Sequence, residues 1–328
     1  MTFQITPAKK EQVPLLLAYA GPSGSGKTWS ALETATGIKE VHGGPIVLID
    51  TENKRALHYA NDFDFMHMRL DPPFSSERYL EALKAAEALS PSCIIIDSMS
   101  HEHEGEGGVL DYREKIIAEK VARAKERGDS RKEWQIQEAL NFSSWADAKV
   151  YRKKLLLALT RTNSSVIMCF RTKEIVSPTK GKNGKMEVVD MGFTPITDDS
   201  FVYEATIGLT FKPNSRGVPS FDDLRPGEAK GVKRPAWSEC IIRNGDQISR
   251  KHGRLLAEWA RGDEVDVDAL LMAAQSEANK GRDAITKHFA SLSQGQQLAL
   301  SKFKEKLWTD AKKADAAAAL AAAENEPA

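Results

Sequence analysis

At 328 residues the chain can hold one large α/β domain and a small appendage. Its 41% hydrophobic and 28% charged residues are ordinary for a globular protein and exclude a disordered or fibrous one. Lys plus Arg and Asp plus Glu both number 46, so the formal charge is zero, and any nucleic-acid binding must come from local patches.

Residues 14–20 (PLLLAYA) form a short apolar run suited to a buried strand. Lys9 and Lys10 before it, with Ala18-Tyr19-Ala20 at its end, imitate a secretion signal. The run continues straight into the next motif, and cleavage there would strip that motif of its strand. No export signal or membrane-spanning run is read, and a cytoplasmic location, in a bacterial host cell, is expected.

Residues 21–28 read GPSGSGKT, a complete phosphate-binding loop. Chance would produce the pattern in roughly one chain in a hundred of this length. A helix over Thr28–Lys39 completes the strand, glycine loop and helix that the motif requires. Gly21, Gly24 and Gly26 allow a tight turn whose N–H groups converge on phosphates, and the helix start adds its dipole. Lys27 is expected to reach the β- and γ-phosphates and Thr28 to ligate Mg²⁺. Pro22, Ser23, Ser25 and Trp29 complete the expected nucleotide-binding set.

The run 44–50 (GPIVLID) is a strand, 65–70 another, 75–89 a helix, and 93–97 (CIIID) a strand with no polar face, as in a parallel sheet covered on both sides. Residues 109–141 read as a charged helical insertion. A further helix is expected to start near Ser144, with Asp147 as a capping acid, and to lead into a strand at 164–170. Residues 176–200, with Pro178, Gly181 and Gly184, read as a flexible loop. Strands are expected at 202–212 and 237–243, a helix at 251–261, a polar linker at 261–268, and helices over 270–311 with Leu300, Phe303 and Leu307 on one face. The domain reading is a core over 1–262, a helical region over 263–313 and a disordered alanine-rich tail over 314–328.

Asp97 ends the apolar strand 70 residues after Lys27, where a carboxylate faces the loop's crevice and can hold Mg²⁺ or its water shell. Glu52 follows the strand GPIVLID and is placed either to polarise an attacking water or to be a surface turn acid. Arg171 and Lys173 sit at the crevice end of their strand, to stabilise γ-phosphate charge or to pair with Glu174 or Asp97. His101, Glu102, His103 and Glu104 lack further ligands for a zinc site, and this glycine-rich segment is expected to be a mobile loop over the nucleotide. Cys93, Cys169 and Cys240 have no metal-ligand spacing and read as reduced core thiols.

GPSGSGKT, LIDTEN and CIIIDS together resemble the ATPase core of RecA-type recombinases, over roughly residues 12–260. The run SMSHEHEGEGG (98–108) resembles a bacteriophage group of RecA-core ATPases, several of which are single-strand annealing or recombination proteins. The resemblance implies a mostly parallel sheet flanked by helices, ATP and Mg²⁺ as ligands, and Glu52 as the catalytic base. It also implies single-stranded DNA as partner, with Lys180, Lys182 and Lys185 matching the position of DNA-contacting loops. A homo-oligomer with nucleotide near subunit contacts is expected, as is contact with single-strand-binding or other recombination proteins. The RecA core's usual Gln after the next strand is replaced by CFRTKE, and the 109–141 insertion is not part of a minimal core.

Two other readings stay open. One is a P-loop kinase or motor with no DNA role, with 109–141 as its lid. The other is a nucleotide-switched scaffold whose helices over 270–311 recruit replication or recombination partners. The absence of an Asn-Lys-x-Asp motif favours ATP over GTP.

Overall fold

The computed structural model describes residues 12–180, 186–261, 267–292 and 294–324. Within them lie two compact units, one over 13–257 and one that includes the described residues from 258 on.

The larger unit opens with β1 (Leu16–Ala20), α1 (Lys27–His42), β2 (Ile46–Asp50), β3 (Met66–Arg69), α2 (Ser76–Glu87) and β4 (Cys93–Asp97). Next come α3 (Ser100–Glu104), α4 (Val109–Glu126), α5 (Glu133–Arg161), β5 (Ser165–Phe170), β6 (Thr172–Lys180) and β7 (Met186–Pro195). It closes with α6 (Asp199–Glu204), β8 (Ile207–Phe211), β9 (Pro219–Ser220), α7 (Pro226–Ala229) and the part of α8 (Arg250–Arg261) up to Ala257. One seven-stranded sheet has the order β3-β2-β4-β5-β1-β8-β9, and only β9 runs antiparallel. The fold is α/β, a mostly parallel sheet flanked by helices. β1, β2, β4, β5 and β8 are buried along their whole length because helices cover both faces, so their sequences carry no polar alternation.

On one face, Leu16, Val47, Ile94 and Val166 pack against Tyr79 and Leu83 of α2 and Leu155 and Leu159 of α5. On the other, Tyr19 donates or accepts a 2.8 Å hydrogen bond with Thr34 of α1. α8 crosses α1 with backbones in contact: a Cβ on Gly37 would lie 2.1 Å from the Arg250 carbonyl, and one on Gly253 2.1 Å from that of Thr34. The order puts β5 between β1 and β4, so the loop after β1 has to reach past the end of β5 for Thr28, in the first turn of α1, to meet the end of β4.

Several expectations are corrected. Residues 172–195, read largely as a loop, form an antiparallel hairpin of β6 and β7 with a register shift at Ile175/Val176. Only its tip, 181–185, lies outside the described residues. No helix starts at Ser144: α5 is one continuous helix of 29 residues, Ser144 Oγ bonds back to the Asn141 carbonyl, and Asp147 pairs with Lys120 of α4 at 2.6 Å. The span 109–141 is thus no separate insertion, because its second half continues into the helix that carries Leu155 and Leu159 into the core. The expected strand at 237–243 is a short 3₁₀ turn (Ala236–Ser238) and bends, and 202–206 belong to α6 and its end.

In the second unit, α9 (Val267–Ala278), α10 (Arg282–Ser291), α11 (Gln294–Ala299) and α12 (Lys304–Glu324) surround Ala274, Ile285, Leu300 and Leu307, with Phe303 partly buried beside them. The tail read as disordered is helical through Glu324, as alanine's high helix propensity favours. The linker positions 262–266 lie outside the described residues. No helix among the described residues is long and apolar enough to cross a membrane. Cys93 and Cys169 are buried free thiols, and Cys240 is half-buried after the 3₁₀ turn.

Candidate nucleotide site

The glycine loop sits beyond the C-terminal end of β1, where parallel sheets open their crevices. Gly26 precedes α1 with φ +94°, and a Cβ there would lie 2.5 Å from the Gly217 amide. That amide donates to the Ser25 carbonyl at 2.9 Å, and Ser215 Oγ donates to the same oxygen at 3.1 Å. The turn after β8 therefore braces the loop from behind. Gly26→Ala is expected to lower the thermal midpoint and abolish nucleotide binding, whereas Gly24→Ala, which meets no atom within 4 Å, carries only the cost of its φ of +77°. Thermal unfolding with and without nucleotide separates the two.

A cleft of about 500 Å³ opens over the loop, lined by Ser23, Gly24, Gly26, Lys27 and Thr28 on one side and by Glu52, Arg55, Asp97 and Arg171 on the other. Thr28 Oγ1 donates to Asp97 Oδ2 at 2.6 Å across 69 residues of sequence. The Lys27 ammonium donates to the Pro22 carbonyl at 2.9 Å. Burial pushes the Lys27 pKa down and the Asp97 charge pulls it back up. Burial pushes the Asp97 carboxyl up, and the nearby Glu52 charge adds to this against Thr28 and Lys27.

Each carboxylate at the mouth has a defined partner. Asp50, in register with Asp97 on the neighbouring strand, accepts from the Glu52 and Ala56 amides and turns the chain back after β2. Glu52 is thereby aimed into the cleft. Its Oε1 pairs with Arg171 Nε at 2.7 Å and its Oε2 with Arg55 Nη1 at 3.1 Å, while Arg55 also donates to Ser23 Oγ at 3.1 Å. Burial raises the Glu52 pKa, but the hydrogen bond and charge of Arg171, with help from Arg55, outweigh it and hold the carboxyl below its usual range.

Of the expected site residues, the structure brings Ser23, Gly24, Gly26, Lys27, Thr28, Glu52, Asp97 and Arg171 to one cleft. Gly21, Pro22 and Ser25 shape the loop from beneath without lining it. Trp29 does not line it either: its ring packs edge-on against Phe63 and Tyr59, at centroid distances of 4.8 and 6.0 Å. A residue that follows Thr28 in a helix faces away from the phosphates. Arg171 pairs with Glu52, neither of the partners weighed from sequence, and Lys173 reaches Glu104 at 3.8 Å. Lys180 ends β6, while Lys182 and Lys185 lie outside the described residues.

The expected mobile loop at 100–108 is instead the helical turn α3 followed by a tightly packed glycine turn at 105–108. Glu102 is fully buried, accepts from Ser76 Oγ at 2.6 Å and pairs with the buried Arg152 at 2.9 Å. Helical spacing sends alternate residues apart, so His101 meets Thr51 Oγ1 at 2.7 Å on the nucleotide side while His103 meets Arg152 at 3.2 Å on the other. No group of three or more potential ligands among the described residues forms a metal cluster.

Sequence reading missed Arg55, whose only signal was a basic residue three positions after Glu52, and Thr51, whose hydroxyl accepts from the Ser98 amide at 2.8 Å and ties β2 to β4.

No protein-family model and no curated protein matches this chain. Among solved structures, a KaiC-like protein from the hyperthermophilic archaeon Pyrococcus horikoshii is similar, with 14% identity and a TM-score of 0.26. The likeness covers 58% of this chain and 88% of that one. At those values it says nothing about function.

Proposed function

We propose that the chain is an ATPase with a RecA-like core that binds ATP with Mg²⁺ in this cleft and hydrolyses the γ-phosphate. The observation that carries the proposal is the 2.6 Å bond from Thr28 to Asp97 beside buried Lys27, which joins the glycine loop to the end of β4 across 69 residues of sequence. Thr28 Oγ1 and Asp97 Oδ2 are hard oxygen donors and suit a small divalent cation. Bound there, Mg²⁺ supplies charge neutralisation on the β- and γ-phosphates.

This chain's residues do the rest. The loop amides hold the phosphate oxygens, and Lys27 leaves the Pro22 carbonyl to join them. Arg171 exchanges Glu52 for developing γ-phosphate charge. Glu52, ionised at neutral pH and freed on one oxygen, accepts the proton of the attacking water.

We further propose that nucleotide state controls a hold on single-stranded DNA, in recombination or strand annealing, by a homo-oligomer of phage type acting in the host cytoplasm with other recombination proteins. The resemblance of residues 98–108 and the lysines at 180, 182 and 185 support it. The test is phosphate release with and without a single-stranded oligonucleotide, beside a salt-titrated binding assay with and without ATP. Stimulated release and ATP-dependent affinity are expected. No affinity at low salt in either state would sink the DNA half; nucleotide binding without release would sink the ATPase half.

The Asp97 carboxyl gives a pH prediction. Its folded pKa is raised, so the folded state binds the proton more tightly, and this group's contribution to stability falls as pH rises from its unfolded value through the folded one. Asp97→Asn is expected to remove that loss. The variant without nucleotide should melt above the wild type at neutral pH, with the gap closing toward pH 4, yet lose Mg²⁺-dependent nucleotide binding. Melting curves across pH check it.

A further inference from the structure

A second cleft, of about 530 Å³, adjoins the nucleotide cleft across α3 and the end of β7. Glu104 and Ile196 line the first cleft, and their neighbours His103 and Thr197 line the second. Its walls are aromatic: Trp145 of α5, Tyr203 of α6, which is 75% exposed, and His103, whose ring lies within 14° of parallel to Trp145 at 6.5 Å between centroids. The Arg113 guanidinium lies 4.5 Å over the Trp145 ring.

The polar groups divide unevenly. Both carboxylates are already engaged. Asp198 accepts from Ser200 N at 3.0 Å and Oγ at 2.5 Å and pairs with Arg152 at 3.4 Å, and Asp199 lies 3.9 Å from the Lys230 ammonium. The donors are unspent. Among the described residues, the Trp145 indole N–H and the Tyr203 hydroxyl have no hydrogen-bond partner, and the Lys149 ammonium makes no hydrogen bond or close ion pair, its charge acting on Asp198 from a distance. His103 Nδ1 faces the Arg152 guanidinium at 3.2 Å, and burial with the Arg152 charge pushes the imidazole down to about 4, so the ring is neutral with its proton on Nε2. An aromatic wall, an ammonium with no close partner and several free donors beside carboxylates that already face other groups match a flat heterocycle that carries a phosphate.

We infer that this second cleft holds one nucleotide of a single strand, its base against Trp145 and Tyr203 and its phosphate on Lys149. The inference deepens the DNA reading above and rests on it. It supplies the stacking surface that the Lys180–Lys185 segment lacks, since Phe201 is fully buried and Phe193 lies under Arg225 at 5.8 Å. It also places the strand beside the nucleotide cleft, where Glu104 and His103 of α3 face one cleft each.

The test uses the full chain and an oligothymidine probe, with Tyr203→Ala and Lys149→Ala. Both side chains are exposed and both variants keep the core intact. Tyr203→Ala is expected to weaken binding roughly 5- to 100-fold, and Tyr203→Phe to restore it. Lys149→Ala is expected to flatten the slope of log affinity against log salt by about 0.7. Binding of a fluorescent ATP analogue should stay unchanged in all three. If the wild type does not bind the probe at low salt, the DNA reading itself fails. If the wild type binds and both alanine variants bind equally well with the same slope, this cleft is not the site, and the DNA reading survives. Competition by thymidine monophosphate at equal nucleotide concentration would make the cleft a mononucleotide site and overturn the strand assignment.

Discussion

Replacing Glu52 by Gln is expected to cut ATP turnover by about 10²- to 10⁴-fold while leaving nucleotide affinity near that of the wild type. The amide oxygen can still accept from Arg171 Nε, now 2.7 Å from Oε1, while the bond that Arg55 Nη1 makes to Oε2 at 3.1 Å is lost along with the ability to take a proton. Phosphate release under single-turnover conditions reads the effect, and turnover within threefold of the wild type would remove Glu52 from the role of base. Arg171→Ala is a companion measurement. It removes the strongest influence holding the Glu52 carboxyl low and leaves burial opposed only by the weaker charges of Arg55 and His101, so the acid limb of the pH–rate profile should move to higher pH.

The largest effect on stability is expected at Arg152. Its guanidinium is buried between Glu102 at 2.9 Å and Asp198 at 3.4 Å, with Phe201 beneath it at 5.4 Å. Arg152→Ala leaves a fully buried carboxylate with only the Ser76 hydroxyl, and about 3–5 kcal/mol of stability is expected to go with it. For a unit of this size that is roughly 6–20 °C in the unfolding midpoint. The double replacement Glu102→Leu with Arg152→Leu should recover a substantial part, because it removes the stranded charge along with its partner. Urea unfolding of the singles and the double gives the coupling. If the double loses as much as the two singles added together, the pair is not what holds α3 to α5.

Much of this was legible in the chain because strands covered on both faces announce themselves. IVLID, CIIID and SVIMCF have no polar side to confuse, and the glycine loop between strand and helix has few other meanings. The hairpin at 172–195 was not legible. Its strands alternate weakly, contain Pro178 and Gly192, and pair only with each other, so no apolar face marks them. The unity of α5 was hidden for a different reason: Asn141 to Ser144 carries turn-forming residues that a neighbouring helix here keeps helical. At the site, Glu52, Asp97 and Lys27 could be found from strand ends alone. The pairing of Glu52 with Arg171 could not, since the two are 119 residues apart and only the sheet order brings β5 beside β4. SHEHE misled because its charges and the glycines after it suggested a mobile loop, whereas Glu102 is buried against Arg152 and a helical turn sends His101 and His103 to opposite sides.

The bare backbone crossing of α1 and α8 sets where the chain can be shortened. Gly37 and Gly253 face each other's carbonyl neighbourhoods with no room for a methyl group, so α8 serves as a lid on the helix that begins at the glycine loop. A truncated protein ending after α7 would retain every residue of the nucleotide cleft and still strip away the backbone that packs on Thr34 and Gly37 of α1. The shortest fragment worth expressing for crystallisation with nucleotide therefore runs through Ala257, even though none of its last eight residues lines the cleft.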